Sequence, residues 1–110
     1  MTTPPRYGKM PDVKAVPLIR SRIAYSAGAF AEVALWQVGK PVAGSAHGYK
    51  YRLAYVVDGA CVLRYDNEAG KGDHRHYVGV ETAYAFTTPE RLVADFQQDI
   101  ARWNHENRDT

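Results

Sequence analysis

From Val16 onward, apolar and polar positions fall into short runs rich in β-branched and aromatic residues, at 18–26, 29–38, 49–57, 60–65 and 74–84. Turn chemistry separates them: Ala27-Gly28, the Gly- and Pro-bearing stretch 39–46, Asp58-Gly59, and the polar stretch 67–72. This spacing predicts an antiparallel meander of about five strands. The period then changes. Thr88 is a good N-cap, Pro89 suits the first helical position, and Glu90 sets its charge against the positive helix end. Leu92, Val93, Phe96, Ile100 and Trp103 follow at helical spacing on one face. Such a stripe must cover one face of the sheet, so the predicted fold class is α+β, a two-layer sandwich with one C-terminal helix.

Register decides where charge collects. A two-residue loop at Asp58-Gly59 would mix Lys50 and Arg52 with Cys61, Leu63 and Tyr65, so a three-residue loop, Val57-Asp58-Gly59, is expected instead. It places Tyr49, Tyr51, Leu53 and Tyr55 with Cys61, Leu63 and Tyr65 on the core side. Lys50, Arg52, Arg64 and Asp66 then share an exposed basic face, with Lys50 opposite Asp66.

At 110 residues the chain is expected to form a single domain over 15–110, preceded by a flexible arm over 1–14 that holds Pro4, Pro5 and Pro11. No apolar run is long enough to span a membrane, and no signal peptide is visible, so a cytoplasmic protein is expected. The lone Cys61, among apolar neighbours, reads as a buried structural thiol. A net charge of +2 permits a nucleic-acid partner without demanding one.

Chemistry concentrates at residues 65–76, where two His, two Asp, a Glu, a Lys and an Arg lie together. A solvated surface loop is the competing account. His74 and His76 are two apart, so on a strand they share a face, with Arg75 on the other. Three uses are open to them: metal ligation with Asp73 or Asp66, acid-base catalysis, or a solvated strand end. No cysteine pair or His-Glu motif completes a metal set, and neither a metal nor a cofactor is expected. Acid-base work would suit attack by a ribose 2′-hydroxyl on the adjacent phosphate. Lys71, between Gly70 and Gly72, and Arg75 would hold the phosphate, and Asp66 or Asp73 would orient an imidazole. Lys50, Arg52, Arg64 and His47 complete the candidate substrate-binding set. His47 sits in the small-residue loop Gly44-Ser45-Ala46-His47-Gly48, where an exposed loop histidine is the plainer account. Trp36, Tyr49, Tyr51 and Tyr55 could stack on bases, although aromatics at strand spacing are more often core.

The string Tyr49-Lys50-Tyr51-Arg52-Leu53-Ala54-Tyr55-Val56-Val57-Asp58-Gly59, then Tyr65-Asp66-Asn67-Glu68, Gly70-Lys71-Gly72-Asp73-His74-Arg75-His76 and Phe86-Thr87-Thr88 resembles the TumE family of bacterial toxins. The similarity spans about residues 20–105 and includes Leu35-Trp36-Gln37 and Ser45-Ala46-His47-Gly48-Tyr49-Lys50. The resemblance implies the toxin half of a type II toxin-antitoxin module, made with a helix-turn-helix antitoxin that neutralises it and represses the operon. Many toxins of this size cut messenger RNA, so the expected activity is an endoribonuclease with RNA as substrate. The alternatives are a non-catalytic inhibitor that acts by occupying its target and a metal-dependent hydrolase. A homodimer is compatible with the sequence.

Overall fold

Six strands, not five, follow one another across a single antiparallel sheet in chain order. The computed structural model describes residues 15–107. It shows β1 (Val16–Ser26), β2 (Ala29–Gln37), β3 (Tyr49–Val57), β4 (Ala60–Glu68), β5 (Gly72–Tyr77), β6 (Val80–Ala83) and the helix α1 (Pro89–Asn107). The α+β meander with a C-terminal helix is therefore as expected, and the arm proposed for residues 1–14 lies outside the described residues. The extra strand arises because the run 74–84 folds back on itself at Val78-Gly79. Both residues take positive φ, 48° and 82°, the conformation of a tight two-residue hairpin loop. Valine rarely enters that region, so the turn carries no sequence signal. The Val78 amide donates to the Val62 carbonyl (2.9 Å), which ties the turn to β4.

The β3–β4 connection corrects the expected register. Asp58 (φ 50°) and Gly59 (φ 83°) form a two-residue loop with Val57 opposite Ala60. A bulge then shifts the pairing, so that Cys61 faces Val56 while Leu63 faces Tyr55. The bulge performs the separation of faces expected of a longer loop. Leu53 and Tyr55 still align with Tyr65 and Leu63, but Arg52, rather than Lys50, stands opposite Asp66. Cys61 precedes the bulge and is exposed, not the buried thiol expected.

The core lies between α1 and one face of the sheet. Ala31, Val33 and Leu35 of β2, Tyr51, Leu53 and Tyr55 of β3, and Leu63 and Tyr65 of β4 are buried under Leu92, Phe96 and Ile100. Thr88 caps the helix as expected, its hydroxyl accepting from the Arg91 amide at 3.0 Å. The core tyrosines bury their rings and extend their hydroxyls to the helix, Tyr55 to Asn104 (2.8 Å) and Tyr65 to Asp99 (2.7 Å). Among the described residues no helix is long and apolar enough to cross a membrane. Among the described residues no helix covers the opposite face of the sheet, and the strand alternation sends most of the charge there.

Candidate functional site

Strand β5 divides the expected site between the two faces. His74 and His76 point to the open face, while Asp73 and Arg75 point toward the helix, as a two-residue period requires. Neighbouring strands complete two rows on the open face: Asp66 stands opposite His74, and Arg64 and Glu81 flank His76.

His74 is 4% exposed, and its partners define its ring. Nδ1 lies 3.0 Å from the Gly72 carbonyl, which can only accept, so Nδ1 carries a proton. Nε2 lies 2.6 Å from Asp66 Oδ1 but is not aligned for a hydrogen bond. A carboxylate oxygen can only accept, so it is the Nε2–H form of the ring that suits this neighbour. The His76 ring centre is 5.4 Å away, and its Nε2 faces a donor rather than a carboxylate oxygen at hydrogen-bond distance. Arg64 Nη2 donates to His76 Nε2 at 2.8 Å, and a guanidinium cannot accept, so His76 Nε2 bears a lone pair. Arg64 Nε also lies 3.3 Å from Asp66 Oδ2. Glu81 Oε1 is 3.6 Å from His76 Nε2, and Lys71 Nζ is 3.1 Å from Glu81 Oε2. The hydrogen bond from Lys71 holds the Glu81 carboxyl below its usual range.

Asp73 and His47 meet elsewhere, under the long loop between β2 and β3. Asp73 accepts from Ser45 (2.6 Å), Tyr51 (2.6 Å) and His47 Nε2 (2.7 Å). His47 Nδ1 accepts the Tyr49 amide (3.2 Å), and its ring stacks on Phe86 with centres 3.8 Å apart. One neutral tautomer satisfies both nitrogens. Burial pushes the Asp73 carboxyl up, but the hydrogen bonds from Ser45, Tyr51 and His47 outweigh it and leave the carboxyl below its ordinary value. Gly44 (φ 97°) brings the loop backbone against Gly72, where a Cβ would stand 2.8 Å from the Gly72 nitrogen. Arg75 binds Asp99 through Nε at 2.7 Å and the Tyr65 hydroxyl at 3.0 Å. These contacts fasten the loop and the helix to the sheet.

Beyond the histidines the open face continues across β4, β3, β2 and β1. Arg52 and Lys50 are exposed on β3, next to Ala34 and Trp36. Arg20 and Arg22 follow on β1, and a shallow groove runs between Arg20, Arg22, Glu32, Trp36 and Arg52. The Arg22 guanidinium lies 3.8 Å from the Phe30 ring centre, and that of Arg20 lies 6.0 Å from Trp36.

A family model described as Toxin TumE matches residues 12–104. The chain belongs to the TumE toxin family. No curated protein and no solved structure matches it. The family gives this chain a toxin role, and the resemblance read from the polar segment is thereby upheld.

For this TumE-family toxin, the expected residues His74, His76, Asp66, Arg64 and Lys71 come together, and Lys50 and Arg52 lie on the same face. His47, Asp73 and Arg75 do not join them. Sequence reasoning missed Arg20, Arg22, Phe30 and Glu81. The alternation Arg20-Ser21-Arg22 at strand spacing was a usable signal for the first pair. Glu81 could not be placed without the turn at Val78-Gly79.

Proposed function

We propose that this TumE-family chain is an endoribonuclease toxin that lays single-stranded RNA across the open sheet face and cleaves it at the His74–His76 pair. The observation that carries this reading is a pair of adjacent imidazoles, ring centres 5.4 Å apart, one facing a carboxylate and the other an arginine, at the end of a basic face. His76 Nε2, with its lone pair, removes the proton from a ribose 2′-hydroxyl. The 2′-oxygen bonds to the neighbouring phosphorus, the bond to the 5′-oxygen breaks, and the proton between His74 and Asp66 passes to that leaving oxygen. The products are a 2′,3′-cyclic phosphate and a 5′-hydroxyl. Arg64 and Lys71 offset the charge that builds on the phosphorus. Arg64 takes the place first expected of Arg75, which is held by Asp99 on the other face. Asp66, not Asp73, is the carboxylate beside an imidazole of the pair.

Further along the face, Trp36 and Phe30 offer rings for bases, and Arg20, Arg22, Lys50 and Arg52 offer cations for phosphates. In this reading the partner is a helix-turn-helix antitoxin that neutralises the toxin and represses their operon. The test is induction without the antitoxin, followed by mapping of RNA ends. Discrete new ends carrying a cyclic phosphate are expected, and they should vanish with His76→Ala, a partly exposed position, in a variant that circular dichroism verifies as folded. Toxicity retained by that folded variant, or RNA that stays whole while growth stops, would overturn the proposal and leave target occupation as the mode of action.

A further inference from the structure

Three buried side-chain atoms among the described residues have no hydrogen-bond partner: Arg64 Nε, Asp66 Oδ1 and His74 Nε2. All belong to one cluster. Buried polar atoms are nearly always satisfied, so such a concentration calls for something bound there. A donor from the substrate would suit Asp66 Oδ1 but would leave His74 Nε2 and that oxygen facing each other at 2.6 Å. A metal ion on His74 Nε2 would give that nitrogen a partner, as a proton on it does in the cleavage reading.

The geometry points to a site for a divalent first-row transition ion, of the zinc type, formed by His74 Nε2, His76 Nε2 and Glu81, with a fourth position open. One ligand atom from each of His74, His76 and Glu81 already lies within 4.8 Å of the others. Glu81 Oε2 is 3.9 Å from His74 Nε2, and Glu81 Oε1 is 3.6 Å from His76 Nε2. Bonds of about 2.0–2.1 Å around a tetrahedral ion set ligand atoms about 3.3 Å apart, so the exposed Glu81 side chain needs to move only a few tenths of an ångström. The His74 ring is prepared as a ligand: its Nδ1–H is given to a backbone carbonyl, which fixes Nε2 as the coordinating atom. His76 Nε2 also presents a lone pair. Two imidazoles with a carboxylate favour zinc and its neighbours over magnesium or calcium. Arg64 Nη2 must leave His76 as the ion arrives, and its Nε remains beside Asp66 Oδ2 at 3.3 Å.

Binding of the ion does not depend on RNA being the substrate. Its consequence does rest on the nuclease reading: a metal on both Nε2 atoms occupies the two nitrogens that cleavage uses, so the ion turns the site off. The test is calorimetric titration of Zn²⁺ into the full chain, with Co²⁺ absorption in the visible reporting the coordination. One ion per chain is expected, with His76→Ala and Glu81→Gln each weakening binding by roughly tenfold or more. Both positions are solvent-accessible, and circular dichroism verifies that the variants fold. No Zn²⁺ binding by the wild-type chain, or undiminished binding by both folded variants, would sink the site. In the RNA assay, added Zn²⁺ should suppress new ends, and ends unaffected by a saturating ion would sink the inhibitory role. If no RNA is cut under any condition, the nuclease reading fails while the titration still decides the site.

Discussion

Asp73 accepts three side-chain hydrogen bonds, and none of its donors is near it in sequence: Ser45 and His47 arrive from the long loop and Tyr51 from β3. Hydrogen bonds to a charged group contribute about 1.5–3 kcal/mol each, and they are not additive. Asp73→Asn keeps the shape, removes the charge and sets an amide against at least one donor. The expected cost is about 2–3 kcal/mol in urea unfolding. Because the folded carboxyl titrates below its ordinary value of 3.8, the unfolded chain binds the proton more readily. The Asp73 contribution is therefore complete above that value and is lost as pH falls through the lower, folded one. The wild-type chain should lose stability steeply below about pH 4, and Asp73→Asn should flatten that slope; equal slopes for the two would refute the assignment. This network was illegible in the sequence, since a loop histidine and a turn aspartate each have a plain local explanation. Their meeting depends on Gly44 approaching Gly72, a tertiary event.

At the scale of elements, the hairpin β5–β6 is joined through a valine with φ 48°, a conformation that costs a β-branched residue on the order of 1 kcal/mol or more. Val78 is 55% exposed and contributes little burial. Val78→Asn should therefore raise stability by about 1 kcal/mol, because asparagine before glycine favours this turn and keeps the amide bonded to Val62. A thermal midpoint that falls would show that the valine side chain has a role in packing. Attachment of α1 is tested by Arg75. Its removal leaves Asp99, 12% exposed, with only the Tyr65 hydroxyl. Arg75→Ala should cost about 3 kcal/mol by denaturant titration, with Arg64→Ala much less costly because Arg64 joins neighbouring strands already paired through their backbones and does not tie the helix to the sheet. The helix, its cap and the first four strands were legible because periodicity and turn residues agree there. The β4 bulge and the β5–β6 turn were not, because each rests on backbone conformations that Val62 and Val78 do not advertise. The paired faces of β3 and β4 were still foreseen in large part, since Leu53, Tyr55, Leu63 and Tyr65 demand a common side however the chain achieves it.

Across the whole molecule, one sheet has two unlike faces, one closed by α1 and one left to charge. Arg20, Arg22, Lys50, Arg52 and Arg64 spread over three strands of the open face, β1, β3 and β4, while Arg102 sits on the helix and is paired with Glu106 at 3.1 Å. If RNA binds the open face, each phosphate contact releases counterions, and log affinity falls with log salt by about 0.7 for each phosphate neutralised on a single strand. Arg22 is shared with Glu32 at 3.8 Å and Arg64 with Asp66, so these two contribute less than a free cation. A slope between about −2 and −3.5 is expected for a short unstructured RNA, measured by fluorescence anisotropy over a salt series. Arg52→Ala and Arg20→Ala should each make the slope shallower by about 0.7 and weaken binding to all sequences alike. Trp36→Ala should weaken binding by about 1–3 kcal/mol with the slope unchanged, since stacking releases no ions. Arg102→Ala should alter neither quantity. A loss of binding with Arg102→Ala equal to that with Arg52→Ala would move the interface to the helix side, and with it the path by which RNA could reach His76.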